Sequence, residues 1–384
     1  MREPIKLRVF YFLLYSAFAS WLTFFNVHLQ NLGFTGLQIG IANSVFISTS
    51  MFVVPFWGMM GDKYGSNRII LLLTVICTFL VFSIGQTTTY SKIIFLIIFI
   101  SVFQAPIGAV MDGMTLGFVR SGDKYSYGQF RLWGSAGFAA AAVLSGYVAG
   151  KDSSNIFLLA SIFFAIISIV NFLTLPPKPI TGRGLVNFRS ISIFFRNRQI
   201  LSFFFLIFLF GISISPLHHF INLYYTEIGA TGSQIGLAFA VQASVEIPFF
   251  LYGARFVKRN SAEKIILLSM IISLLRMVLY GFTSDPTISI LIGSLHGFTI
   301  SFFLIGIVDF VQNKTPSHLR TTGQSLIWAF HFGAGLTIGN IWLGFLKDRI
   351  GMQNVMHVQA ILGLLVIIMM LVFFRNNSRK EKSS

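Results

Sequence analysis

Twelve runs of apolar residues, each about long enough to cross a bilayer, leave this 384-residue chain few folds to choose from. They lie near residues 7–29, 39–60, 68–86, 92–119, 128–149, 155–175, 199–226, 233–253, 263–282, 287–312, 322–345 and 353–374. A helix needs about 20 apolar residues to span the hydrocarbon core. Lipid offers the backbone no hydrogen-bonding partner, so only helices or closed barrels can span it. Barrel strands alternate in polarity, and these runs do not. The expectation is an all-α membrane protein with twelve transmembrane helices. Composition agrees, with 55% hydrophobic and only 10% charged residues.

A repeat organises the runs. Residues 33–40 read GFTGLQIG and residues 229–236 read GATGSQIG, an offset of 196, about half the chain. The register continues where Ile69-Ile70-Leu71-Leu72 returns as Ile265-Ile266-Leu267-Leu268. Gly128-Gln129 with Trp133 starts the fifth run, and Gly323-Gln324 with Trp328 starts the eleventh. Repeats of the same orientation imply two pseudo-symmetric six-helix halves related by an axis along the membrane normal. The halves are expected at 1–175 and 199–384. The segment 176–198 opens with Pro176-Pro177-Lys178-Pro179, carries five basic residues, and reads as a cytoplasmic linker. Glycines 134, 137 and 146 in the fifth run and 333, 335 and 339 in the eleventh allow close helix contact, with a hinge role as the alternative.

The net charge of +16 reflects topology and not nucleic-acid binding. Placing both termini in the cytoplasm puts most of the 28 Lys and Arg on cytoplasmic segments, as the positive-inside rule requires. The basic tail Arg375–Lys382 can also meet anionic lipid. Met1–Arg8 is a basic flank, and the apolar run after it is too long for a cleaved signal. Cys77 stands alone inside the third run, so no internal disulfide forms and the bland reading is a small core residue. Short loops leave no room for a soluble catalytic domain. No HExxH, GxSxG or paired-Cys motif occurs, so neither an enzyme nor a metal or cofactor is expected.

Function must then lie between the helices, and ionisable residues mark where. A charge at mid-membrane costs roughly 2.5–3.5 kcal/mol on insertion scales. The candidates are Asp112, Arg131, Glu246, Arg276 and Asp309, joined by His218, His219, His296 and His331. Asp112 and Arg131 flank a short turn, either as a structural ion pair or as a substrate clamp, because an arginine fork grips oxygen ligands with fixed geometry. Glu246 stands two residues before Pro248 with no basic neighbour in sequence. An apolar site favours the protonated acid, which suits a proton carrier; the alternative is a structural partner of Arg276. His296 can exchange protons near neutral pH, or simply bond a backbone carbonyl. Only one of His218 and His219 can face a cavity. Asp309, five residues before Lys314, reads as reaching the interface.

Between the second and third runs stands Gly58-Met-Met-Gly-Asp62-Lys63-Tyr-Gly65-Ser-Asn-Arg68. Gly65 allows a tight turn, and Asp62 can cap a helix or pair with a nearby charge. A salt-bridged turn of this kind would lock one conformational state. The C-half counterpart carries Lys258 in place of the acid, so the halves are not equivalent as gates.

That segment resembles the G-x3-D-x2-G-x2-R signature of the major facilitator superfamily (MFS). The likeness covers the whole chain and implies the MFS fold. Tyr127–Phe138 resembles the start of the fifth helix in proton-linked sugar, nucleoside and phenylpropionate permeases. Val245-Glu246-Ile247-Pro248 is similar to their eighth-helix acid motif, and Leu295–Phe298 resembles the tenth-helix histidine segment of lactose permease-like transporters. By that likeness Asp112 and Arg131 hold a sugar, and Arg276 and His296 belong to a proton-coupling cluster. The chain departs from the likeness at Gly293, where the family has a lysine, and at Thr299, where it has the proton-carrying glutamate. Glu246 is then the first candidate carrier and Asp112 the second.

The expected function is secondary transport, as proton symport of a small organic solute by alternating access. The substrate-binding set is Asp112, Arg131, Trp133 and His218; the coupling set is Glu246, Arg276 and His296; the gate is Gly58, Asp62, Gly65 and Arg68. A sugar, a nucleoside or an aromatic acid would suit aromatic walls, although packing against lipid is the commoner use of Phe, of which the chain has 44. Proton-antiport efflux is the alternative, and a non-transporting sensor a further one. The expected partners are the solute, protons and the plasma-membrane bilayer, with the chain acting as a monomer.

Overall fold

The computed structural model describes residues 3–120, 125–174, 198–257, 261–315 and 320–383, and among them every regular element is a helix. Twelve spans follow in order. The first six are α1 (Glu3–Asn31), α2 (Gly36–Tyr64), α3 (Ser66–Ile84), α4 (Tyr90–Arg120), α5 (Gly128–Ala149) and α6 (Asn155–Leu173). The next four are α7 (Arg198–Glu227), α8 (Gly232–Val257), α9 (Ala262–Phe282) and α10 (Pro286–Lys314). The last two, α11 (residues 320–350) and α12 (residues 352–383), are divided at Gly351, whose φ of +73° turns the chain between them. The apolar runs located seven of these spans to within three residues at both ends; α1, α2, α8, α11 and α12 extend further. The proposed linker 176–198 lies outside the described residues except for Arg198, and so does Lys258.

The GxTGxQIG repeat has a local physical meaning. Gly33 and Gly229 both have positive φ, +83° and +78°, and make the turn into α2 and α8. At the start of α8, Thr231 Oγ1 accepts from the Gln234 amide at 3.3 Å, and Gln234 Oε1 accepts from the Thr231 amide at 2.9 Å. This reciprocal capping box satisfies amides that a helix start otherwise leaves unpaired. The isoleucines that follow, Ile39 and Ile235, are buried.

The chain divides into two compact units. The first holds Met1–Thr35, Val45–Leu185 and Gly229–Ser244; the second holds Gly36–Ser44, Val186–Ile228 and Val245–Ser384. Within the first, α1 packs on α5 and α6, and α3 on α4 and α6; within the second, α7 packs on α11 and α12, and α9 on α10 and α12. The pairing is therefore the same in both, as a duplicated six-helix plan requires.

Glycine and serine carry the close contacts. In the first unit Ser16 Oγ donates to Gly137 O at 3.0 Å, and a Cβ on Gly137 would collide with the Phe12 carbonyl. Ser168 donates to Thr74 at 2.9 Å, and Lys6 Nζ reaches Asn67 Oδ1 at 2.9 Å and Thr174 O at 3.0 Å, tying α1, α3 and α6 together. In the second unit Gly211 approaches Gly335 and His331, and Ser213 Oγ donates to Gln359 O at 3.0 Å. These contacts support the packing reading of the glycine faces. Cys77 is fully buried. A Gly137→Ala change should cost about 1–3 kcal/mol, because overpacking here meets backbone and not a yielding side chain. Gly108→Ala, where a Cβ meets nothing within 4 Å, should be neutral or slightly stabilising. Apparent melting temperatures in detergent check this; equal shifts would remove the α1/α5 approach as the reason for glycine.

Candidate functional site

Two polar clusters stand inside the spans, one in each unit. In the second unit, α10 breaks at Ser294–Leu295, between Pro286–Gly293 and His296–Lys314. The break places His296 at the start of the second segment. Its Nε2 lies 2.9 Å from Glu246 Oε1, and its Nδ1 lies 3.2 Å from Arg276 Nη1. Arg276 Nη1 also donates to Thr299 Oγ1 at 2.9 Å, and Thr299 in turn donates to His296 O at 2.9 Å. A guanidinium only donates, so Nδ1 is the acceptor and Nε2–H points at the carboxylate. A neutral imidazole thus links an anion to a cation. The structural alternative, a direct Glu246–Arg276 pair, gives way to a relay through His296. The backbone-bonded alternative for His296 does not hold either.

Arg276 is the less satisfied member. It is 1% exposed, and its Nε and Nη2 have no hydrogen-bond partner. A small cavity beside it is lined by His218, Ser273, Arg276, His296 and Thr299 among apolar side chains. His218 reaches it because α7 carries a π-helical turn at Pro216–Phe220, which rotates the following residues relative to an α-helix. Of the histidine pair, His218 faces this cavity. α11 has its own π-helical segment, Trp328–Gly335, and Phe332 from it meets His218 edge-on at 6.1 Å between ring centroids.

In the first unit Tyr11 donates to Asp112 Oδ1 at 2.6 Å, and Tyr127 is a second hydroxyl partner of the same carboxylate. The Arg131 guanidinium lies 4.2 Å from the Tyr15 ring centroid, and its charge acts on Asp112. Asp112 and Arg131 therefore belong to one cluster, with tyrosines as their direct partners. Tyr11 and Tyr15 stand four residues apart on α1, one helical turn. That spacing, in a largely apolar run, is the signal by which sequence reading could have found them. Trp133 is exposed on α5.

Other candidates sit elsewhere. His331 is fully buried and bonds Ile207 O at 2.7 Å through Nδ1, a packing role on α11. Asp309 accepts from Asn313 at 3.2 Å near the end of α10. Gly65 makes the expected turn, with φ +93°, and Gly58 has open space around it. Among the described residues, Asp62 and Arg68 form no ion pair, so the expected salt-bridged turn is not formed here. Arg68 is exposed at the start of α3, and Asn67 turns inward to Lys6 instead. Glu227, given no role from sequence, caps the first amide of α12 with both oxygens, at 2.8 and 2.9 Å from Met352 N.

Twelve spans in two like units, with buried polar clusters between the helices, have the plan of a membrane transport protein. The chain belongs to the MFS_1 like family, whose match covers residues 4–373. It is similar to the maltose permease of Geobacillus stearothermophilus, 24% identical across 94% of this chain and 93% of that one. It is also similar to the xanthosine permease of Escherichia coli (strain K12), 22% identical across 94% and 92%. The crystal structure of the nucleoside transporter NupG superposes with a TM-score of 0.86 at 20% identity, over 97% of this chain and 99% of that one. At that identity the likeness establishes the fold alone.

The Tyr11–Asp112 bond can be weighed by a double-mutant cycle. Tyr11→Phe and Asp112→Asn should show a coupling of about 1–3 kcal/mol in unfolding free energy, as expected for a hydrogen bond to a charged acceptor. Additive effects would mean that the carboxylate is served as well by Tyr127 alone.

Proposed function

We propose that this protein is a proton-coupled symporter for a small neutral ring solute, a sugar or a nucleoside, working by alternating access. The observation that carries the reading is the Glu246–His296–Arg276–Thr299 relay, with two unpartnered Arg276 nitrogens beside a cavity. Protonating Glu246 removes the anion at one end of the relay and leaves Arg276 without a counter-charge inside the spans. An uncompensated buried cation is costly. Solute oxygens accepting from its free edge offset that cost, and this ties solute binding to proton binding. Glu246 is the carrier, His296 fixes its orientation, and Arg276 senses its charge. Asp112 is the second candidate carrier.

A neutral solute follows from charge balance. Each cluster already pairs one acid with one base, Glu246 with Arg276 and Asp112 with Arg131, so an uncharged, hydroxylated ring needs no further counter-charge. In the first unit Asp112 and Arg131 offer acceptor and donor to such hydroxyls and Trp133 a ring surface; in the second, His218 offers a ring surface of its own. The names carried by similar proteins, a maltose permease and a xanthosine permease, support the same two solute classes. The Gly58–Arg68 turn is the cytoplasmic gate in this reading. Both termini lie in the cytoplasm, the membrane is the plasma membrane, and one chain suffices.

The test is external pH in a lightly buffered suspension of de-energised cells producing the protein, with sugars, nucleosides and aromatic acids added in turn. Transient alkalinisation with one class establishes symport and names the class. Alkalinisation with an aromatic acid alone would overturn the neutral-solute argument, and silence across the panel would favour efflux. With the solute known, Glu246→Gln should abolish uphill accumulation yet retain solute exchange, which needs no net proton release. Equal loss of both would remove Glu246 as carrier. Arg131→Lys should raise KM roughly tenfold, the loss of one charge-assisted hydrogen bond, because a point charge does not replace a fork. An unchanged KM would make Arg131 a packing partner of Tyr15.

A further inference from the structure

The G-x3-D-x2-G spacing of Gly58, Asp62 and Gly65 occurs again at Gly344, Asp348 and Gly351, between α11 and α12. With an even number of spans, that corner lies on the membrane face opposite the termini. Here the acid is engaged. Asp348 Oδ1 accepts from the Gly36 amide at 2.7 Å, and Oδ2 accepts from the Leu37 amide at 3.3 Å. These are first amides of α2, which the helix itself leaves unpaired, at its positive end.

Below the carboxylate the two helices touch backbone to backbone. A Cβ on Gly36 would lie 2.7 Å from both Asp348 Oδ1 and Gly344 O. A Cβ on Gly40 would collide with Asn340 O, and one on Gly344 with Gly36 O. Ser44 Oγ donates to Thr337 O at 2.7 Å. The seam thus uses every fourth residue of α2, at 36, 40 and 44, and runs wholly inside the second unit. Beyond Ser44, α2 belongs to the first unit. The corner itself is held firmly, since Glu227 caps Met352 and a Cβ on Gly351 would lie 2.9 Å from Glu227 Oε1.

The repeat provides an internal comparison. Gly232 and Gly236 of α8, counterparts of Gly36 and Gly40, make a like seam with Gly146 of α5, inside the first unit. At the same offset of 196, the counterpart of Asp348 is Asp152. Its Oδ1 accepts from Ser154 N at 2.8 Å, in its own loop. Both seams share the glycine packing, and in only one does the carboxylate cross to the facing helix.

We infer that Asp348 is a latch that holds the α2/α11 seam closed on the face opposite the termini, and that its release from the start of α2 is a step in opening that face. The α5/α8 seam parts without an equivalent step. The device suits a reversible switch. The amides that Asp348 serves lie at the helix start near water, so their exposure is tolerable. Loss of one capping side chain typically changes a two-state population roughly threefold to tenfold. The word opening rests on the alternating-access reading; the contact does not.

Single-cysteine labelling tests the latch without solute or proton gradient, so its failure is separable from failure of the symport reading. Cys77 is the only native cysteine and is fully buried, so it adds little background and reports unfolding if it reacts. Ser44→Cys puts a thiol in the closed seam, where Ser44 is 4% exposed. In full-length protein reconstituted in liposomes, Asp348→Ala should speed maleimide labelling of that thiol roughly threefold to tenfold. Asp348→Asn, which keeps an acceptor and loses the charge, should give a smaller acceleration, and Asp152→Ala none. Equal rates with and without Asp348→Ala, or the same acceleration from Asp152→Ala, would overturn the inference. If the alanine variant does not fold, Asp348→Asn decides alone: acceleration supports the latch and an unchanged rate removes it.

Discussion

Lipid accepts no hydrogen bonds, and the rest of this structure follows from that constraint. Inside the spans each backbone amide must find its partner within its own helix, so the spans are helical and irregularity sits where it is covered. Apolar side chains gain little by leaving lipid for each other, so helices adhere by close approach and by short polar contacts. Gly137 against Phe12, Gly211 against Gly335, and Gly236 against Ala142 bring backbones together where a Cβ would not fit. Serines such as Ser16 and Ser213 donate across these approaches to neighbouring carbonyls. The departures from α-geometry carry polar residues: the π-helical turn at Pro216–Phe220 carries His218, and the break in α10 carries His296.

The same solvent explains why the charged groups are clustered. A lone charge in the spans would be expensive, and a fully satisfied ion pair would be inert. The structure holds an intermediate arrangement. Glu246 and Arg276 communicate through one neutral ring, and two guanidinium nitrogens have no partner. The first unit solves the problem differently. Tyrosine hydroxyls satisfy Asp112, and Arg131 spreads its charge over the Tyr15 face. One cluster is incomplete and responsive, the other well supplied with donors. This division of labour favours the second unit as the place where a proton would be felt in the proposed symport.

Much of this was legible in the sequence because the constraints were local. Span length follows from bilayer thickness, and the capping box with its turn glycine is written in eight consecutive residues. The ionisable positions stand out against apolar runs. Partners were harder to see, because they depend on which helix faces which. Tyr11 lies 101 residues from Asp112, and Glu246 lies 50 from His296. Gly65 correctly signalled a turn, yet the salt bridge expected around Asp62 did not form, since a motif fixes backbone shape more firmly than the state of its side chains. Asp348 and Glu227 carry no such signal, because each stands at a span end and its partner lies on a distant helix.

The duplication that makes the halves alike is also what exposes their differences. A Gly36 or Gly232 must stay glycine, because its partner is backbone and leaves no room. Positions at the rims are free of that restriction, so the two copies can diverge there without loss of packing. The acids at 152 and 348 keep their type at the same offset but bond differently: one closes its own loop and the other caps a neighbouring helix. Two seams with identical hold would make opening depend on chance at either one. Adding a carboxylate to one alone gives that seam a distinct threshold, and a threshold is what allows an ordered sequence of opening in a molecule built from equal halves.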